Sequence, residues 1–182
     1  FYINLRHFRS RVLILKFFLL MLVTACTQEE IIDDYVERPV NEIYNDAMNV
    51  LEDGDFDEAA VMFDEVERQH PYSMWAKKAQ LMSAYSYYQD ASYDSAITAL
   101  ERFVQLHPSS PDVPYAFYLK AMCYYEQISD VTRDQKMTEL ALLTLTELVK
   151  RFPTSKYAKD AKLKLDLTRD HLAGKEMEIG RY

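Results

Sequence analysis

The sequence predicts an all-α solenoid of stacked helical hairpins, and three observations predict it. One spacing recurs: Ala47, Ala59, Phe63 and Pro71 return 37 residues later as Ala84, Ala96, Leu100 and Pro108. They return again as Ala121, Ala141, Leu145 and Pro153, with eight extra residues in the middle. The composition agrees, since 182 residues at 49% hydrophobic hold a sizeable core while three Gly and six Pro are too few turn residues for an all-β fold. Each Ala-x3-Phe/Leu segment also stops at a proline, which cannot continue a helix.

In the tetratricopeptide (TPR) pattern a small residue sits where two helices cross, an Ala-x3-Phe/Leu pair packs the second helix, and Pro ends it. Repeat one, residues 41–73, pairs a helix near 41–52 with one near 56–69 through Asp53-Gly54-Asp55. Asp55 is placed to cap the second helix, and Glu58 to complete a capping box. Repeat two, residues 74–110, pairs 74–90 with 93–106 around Asp90-Ala91-Ser92. His70 and His107 precede the terminating prolines and read as turn residues, because the residue before Pro avoids helical geometry. Repeat three, residues 111–155, pairs 114–128 with 135–152 across an inserted turn, 129–134, which belongs on the surface where loops carry function. Tyr157-Ala158-x-x-Ala161 echoes Trp75-Ala76-x-x-Ala79 and begins a fourth repeat at 156–182, helical from 156 to about 172, with Lys156, Lys159, Lys162 and Lys164 facing water at least in part. A start at Phe1 and an end within a further helix lead us to expect a fragment lacking C-terminal repeats.

Stacked hairpins build a curved surface lined by their first helices. Superposing the repeats puts Asn41, Tyr44, Met48 and Leu51, then Lys78, Leu81, Tyr85 and Tyr88, then Tyr115, Tyr118, Met122 and Tyr125 on that inner wall. Tyrosine offers broad apolar contact with a hydroxyl at the rim, which suits an extended or helical peptide bearing aromatics. Tyr44, Met48, Tyr85, Tyr88, Tyr118, Met122 and Tyr125 are the candidate peptide-binding residues. The same positions also suit packing between repeats, and the spacing leaves both uses open.

Catalytic, cofactor and metal motifs are absent. There is no H-E-x-x-H, no Cys/His pairing at zinc spacing, no G-x-S-x-G and no glycine-rich phosphate loop. Asp53-x-Asp55-x-Asp57 lacks the Gly and the Glu of a calcium loop. We therefore expect a binding protein, not an enzyme. Residues 27–100 carry 17 acidic and 4 basic side chains, a net of −13, whereas residues 101–182 carry 12 and 13, a net of +1. Nucleic acid is excluded as a partner of the front half, since binding it requires neutralising phosphates with Lys and Arg.

The first 25 residues read as a signal peptide: Arg6, His7, Arg9 and Arg11, then an apolar stretch broken only by Lys16, then small residues. The unbroken apolar run from Phe17 to Val23 is far shorter than the roughly 20 residues that span a bilayer. Val23-Thr24-Ala25-Cys26 resembles the lipobox of bacterial lipoproteins, which implies S-diacylglycerol and N-palmitoyl groups on Cys26 as the first mature residue. More than one acyl chain makes such anchoring stable. Thr27 in place of Asp favours the outer membrane by the same resemblance, and residues 26–40 become a lipidated, acidic tether. With Cys26 acylated, Cys123 has no disulfide partner and is expected as a small buried hydrophobe.

A lipobox, an acidic tether and these repeats together resemble the BamD (ComL/YfiO) family of outer membrane assembly lipoproteins. The resemblance rests on Asn41-Glu42-Ile43-Tyr44, Asp53-Gly54-Asp55-Phe56-Asp57-Glu58-Ala59, Gln69-His70-Pro71-Tyr72-Ser73, Thr132-Arg133-Asp134-Gln135 in the insertion, and Arg151-Phe152-Pro153-Thr154-Ser155-Lys156-Tyr157-Ala158. It implies five repeats, a lipid anchor on the periplasmic face of the outer membrane, and docking of C-terminal repeats on BamA beside the other lipoproteins of the β-barrel assembly (BAM) complex. It also implies that the N-terminal repeats receive unfolded β-barrel proteins through an aromatic-ended C-terminal signal. The alternative is another periplasmic TPR adaptor lipoprotein that coordinates cell-envelope or cell-wall assembly.

Overall fold

The computed structural model describes residues 38–130 and 133–181. The expected signal peptide, Cys26 and all but the last three residues of the tether lie outside the described residues, as do positions 131 and 132 of the insertion. Glu37–Tyr182 form one compact unit. Its described residues make seven α-helices: α1 Val40–Asp53, α2 Phe56–Gln69, α3 Met74–Gln89, α4 Tyr93–Leu106, α5 Val113–Tyr125, α6 Lys136–Arg151 and α7 Lys156–Ile179.

Local chemistry sets most boundaries. Gly54, at φ 90°, ends α1 in the left-handed region that a residue without Cβ enters freely, and its N–H reaches the Leu51 carbonyl. Ser73 and Ser155 cap α3 and α7, each hydroxyl accepting an N–H three residues on, from Ala76 at 3.0 Å and Ala158 at 3.2 Å. Asp55 occupies the cap position of α2 but its side chain accepts no hydrogen bond, so the capping box is not formed. Asp57 and Glu58 in the first turn instead favour that helix through its dipole. The turn after α3 places Ala91 at φ 58°, where Gly54 stands one repeat earlier.

The two turn histidines also fasten neighbouring elements. His107 follows α4 and its Nε2 lies 2.9 Å from Gln80 Oε1 on α3, while His70 Nε2 lies 2.7 Å from the Arg38 carbonyl ahead of α1.

Ala47, Ala84 and Ala121 have no exposed surface, and neither do Ala59, Ala96 and Ala141, nor Phe63, Leu100 and Leu145. The repeat marks are the core. Consecutive helices pack in pairs, and α1, α3, α5 and α7 also touch one another, whereas among the described residues α2, α4 and α6 do not. The stack therefore closes on the side of the first helices, which form the inner wall of a TPR solenoid. One cluster centres on Ala47, Phe63 and Val66, another on Leu100, Phe103, Leu145 and Leu148, and Tyr85 packs against both.

Two stretches depart from expectation. α5 stops at Tyr125 and α6 starts at Lys136, so the connection is longer than the expected 129–134. Gln135 shapes it: only 2% exposed, it donates from Nε2 to the Asp130 and Arg133 carbonyls, both at 3.1 Å, and accepts from Thr138 Oγ1 at 2.9 Å. α7 runs past its expected end near 172. It stacks on repeat three through buried Ala158, Ala161, Leu165 and Thr168, which repeat Ala76, Ala79, Ser83 and Ser86 of α3. Exposed Asp166 occupies the position at which α1, α3 and α5 bury the alanine that receives a second helix.

Candidate functional site

The inner wall is built from seams between first helices. At the α1/α3 seam, Tyr44 lies edge-on to Phe63 with centroids 5.4 Å apart and tilted on Trp75 at 4.8 Å, while Met48 packs into the same half-buried cluster. Burial raises the Tyr44 phenol above its ordinary pKa, because the phenolate loses hydration there. Tyr85 of α3 joins the two cores, and Tyr88 lies 6.0 Å from Tyr93 of α4. Burial, with Glu126 adding to it, pushes the Tyr88 phenol up to about 12.

At the α5/α7 seam, Tyr118 stacks on Tyr157 at 5.3 Å and 25°, and Tyr115 leans on the same ring at 5.3 Å. The Tyr118 hydroxyl donates to Asp160 Oδ2 at 2.7 Å, so burial first and this carboxylate second raise its pKa. Lys164 Nζ lies 4.7 Å over the Tyr125 ring and 3.9 Å from Asp160, and Lys156 Nζ lies 5.0 Å over Tyr157.

Tyr44, Met48, Tyr85, Tyr88, Tyr118 and Tyr125 are thus half-buried residues of one wall, each engaged with its own or a neighbouring repeat. Met122, placed on the same face by the sequence, is only 6% exposed and offers a ligand little surface. On α7, Leu163 is 62% and Leu167 58% exposed. They repeat Leu81 and Tyr85 of α3, so the offset from Trp75 to Tyr157 extends the wall onto them; the sequence reading stopped the wall at α5.

Two clefts lie away from the wall. One of about 290 Å³ between α4 and α5 is lined by Leu100, Val104 and Phe117 and crossed by the Lys120–Glu101 ion pair at 2.6 Å. The other, about 410 Å³, lies beside Thr98 and Arg102 where Tyr87 donates to Asp64 at 3.0 Å. Cys123 is buried, and burial pushes its thiol up to about 12. Among the described residues no three acidic, His or Cys side chains gather to hold a metal ion, and no helix is long and apolar enough to cross a membrane.

Fold and wall define a TPR repeat protein whose first helices present an aromatic concave face. The C-terminal TPR-containing domain of a Plasmodium falciparum FK506-binding protein superposes at a TM-score of 0.55 over 79% of this chain and 97% of that domain, at 14% identity, a likeness of fold alone. A profile of the YfiO family, outer membrane lipoprotein, matches residues 36–182, and the chain belongs to that family, which is the BamD family. Its relatives include the outer membrane protein assembly factor BamD of Caulobacter vibrioides, 51% identical over 148 residues that cover 81% of this chain and 48% of the relative. That of Rickettsia prowazekii is 40% identical over 162 residues, covering 89% and 64%. The chain therefore spans between about half and two-thirds of the length of these two relatives.

Proposed function

We propose that this chain is a lipid-anchored periplasmic scaffold of the BAM complex, which assists the folding and insertion of β-barrel proteins into the outer membrane by holding unfolded substrate and BamA. The carrying observation is the tyrosine-rich inner wall in a member of a family whose relatives are named assembly factors. An unfolded barrel strand is extended and rich in aromatic side chains, and half-buried tyrosine edges with hydroxyls at the rim match that chemistry. The acidic front keeps anionic ligands away and leaves neutral or basic segments free to approach. Cys26 carries the acyl chains, and the tether before α1 sets the reach from the membrane.

The test is affinity purification of the full-length protein from detergent-solubilised outer membranes. BamA is expected to co-purify; its absence from an otherwise intact preparation overturns the scaffold reading.

A further inference from the structure

Short connections between helices that pack in consecutive pairs make the helices alternate in direction. The starts of α1, α3, α5 and α7 therefore share one end of the stack with the ends of α2, α4 and α6. The chain is fastened where it enters at this end. The Arg38 N–H donates to Gln69 Oε1 at 3.2 Å, its carbonyl lies 2.7 Å from His70 Nε2, and its guanidinium pairs with Asp46 at 2.5 Å. The segment preceding α1 thus joins the stack beside the α2/α3 turn.

The two ends differ in chemistry. At the entry end Tyr72, two residues beyond His70, is fully exposed, Met74 at the start of α3 is 85% exposed, and Leu106 at the end of α4 is 54% exposed. All three belong to repeats one and two, with repeat three stacked beyond them. The connecting residues of this end, 38–39, 70–73, 107–112 and 152–155, carry Arg38 against Asp112 and sum to zero. Those of the opposite end, 54–55, 90–92 and 126–135, carry Asp55, Asp90, Glu126, Asp130 and Asp134 against Arg133, a net of −4. Among the described residues none of these opposite connections exposes a large apolar side chain. A surface of phosphate headgroups repels the acidic end and accepts the neutral one.

We propose that the entry end is a membrane-facing edge, at which Tyr72, Met74 and Leu106 settle into the interfacial layer of a phospholipid bilayer while the acidic end points away; this rests on the lipid-anchor reading above. From Cys26 to Arg38 the chain spans at most about 40 Å, so an acylated Cys26 keeps the edge within reach of the surface without forcing contact. Tethering raises the effective concentration of the edge at that surface to about the millimolar range. Three apolar side chains then suffice, although they are too few to hold an untethered protein on a membrane. The tyrosine ring with its hydroxyl suits headgroup depth, and the flexible methionine fills irregular gaps. With this edge docked, the helices stand on the membrane and the inner wall opens sideways.

The experiment places an environment-sensitive fluorophore on a cysteine introduced at Ser109, in an entry-end connection, or at Asp90, in an opposite one. Cys123 is buried and Cys26 is acylated, which leaves the introduced thiol to take the label. The lipidated full-length protein is reconstituted in phosphatidylethanolamine and phosphatidylglycerol vesicles that contain a nitroxide-bearing lipid as quencher. Quenching is expected at 109 and not at 90. Tyr72→Ser, Met74→Ser and Leu106→Ser together lower the docking equilibrium by about a hundredfold and abolish the quenching at 109, whereas Tyr72→Trp alone retains it. Equal quenching at 109 and 90, or quenching that survives the triple substitution, overturns the edge while leaving the anchor intact. Shielding of 109 that requires the other BAM proteins assigns the three side chains to a protein partner and overturns the lipid assignment. Shielding of 109 in unlipidated protein without vesicles assigns them to the chain itself and overturns it equally. Failure of the full-length protein to stay with the vesicles overturns the anchor and this inference together.

Discussion

Replacing Gln135 by Ala tests whether one buried amide holds the insertion that sets repeat three apart. Its three hydrogen bonds, at 3.1, 3.1 and 2.9 Å, tie the Asp130 and Arg133 carbonyls and the Thr138 hydroxyl to one side chain that is 2% exposed. The carbonyls belong to exposed residues and regain water cheaply, whereas Thr138 is 1% exposed and is left with a buried hydroxyl lacking its acceptor. An orphaned buried hydroxyl costs about 1–3 kcal/mol and each lost neutral hydrogen bond about 0.5–1.5 kcal/mol, so the variant loses about 2–3 kcal/mol. For a unit of this size that lowers Tm by about 5–10 °C. Thermal unfolding by circular dichroism reads the shift, and amide exchange in segment 126–136 reads its location. A Tm within about 1 °C of wild type, or exchange that speeds up uniformly along the chain, refutes the reasoning.

Further predictions concern the anchor, the wall and the turns. Cys26→Ser is expected to accumulate as unlipidated precursor, and normal incorporation of labelled palmitate into that variant rules the anchor out. Tyr85→Ala is expected to destabilise by about 3 kcal/mol because this ring joins both cores. Adding Tyr125→Ala weakens binding of an aromatic-ended barrel peptide, and unchanged affinity in the double variant, provided its helical signal is intact, counts against the wall. Gly54→Ala should lose about 1 kcal/mol through its φ of 90° alone, since nothing lies within 4 Å of the added Cβ. Ala91→Gly, relieving φ 58°, should gain up to about 1 kcal/mol in chemical denaturation. Tyr88 keeps its proton in the folded chain to about 12 against an ordinary pKa of 10.0. Its contribution is therefore fully present below about pH 10 and is lost as pH rises from 10 through about 12. A wild-type minus Tyr88→Phe difference in phenolate absorbance that rises near pH 10 while the helices stay intact would contradict this.

The hairpins were legible because their signals are short-range. Ala47, Ala84 and Ala121 mark helix crossings, Pro71, Pro108 and Pro153 mark ends, and the structure puts each alanine at zero exposure. The Asp55 cap failed because cap identity reports only what a side chain is able to bond, while the backbone at φ −83° and ψ 73° decides whether it does. The end of α7 was missed because no described residue past Thr168 is buried, so the stretch to Ile179 carries no core periodicity, and Gly174 within it is a poor helix former.

By itself the sequence determined the class of fold, most helix boundaries to within a few residues and the family, because spacing and chain-breaking act over a few neighbouring residues. Only the tertiary structure decided the condition of the wall. Tyr118, 42 residues from Asp160, bonds to it, Lys164 comes to lie over Tyr125, and Met122 sinks to 6% exposure. Those outcomes depend on which helices the stacking brings side by side, and burial is a property of that neighbourhood and not of the residue.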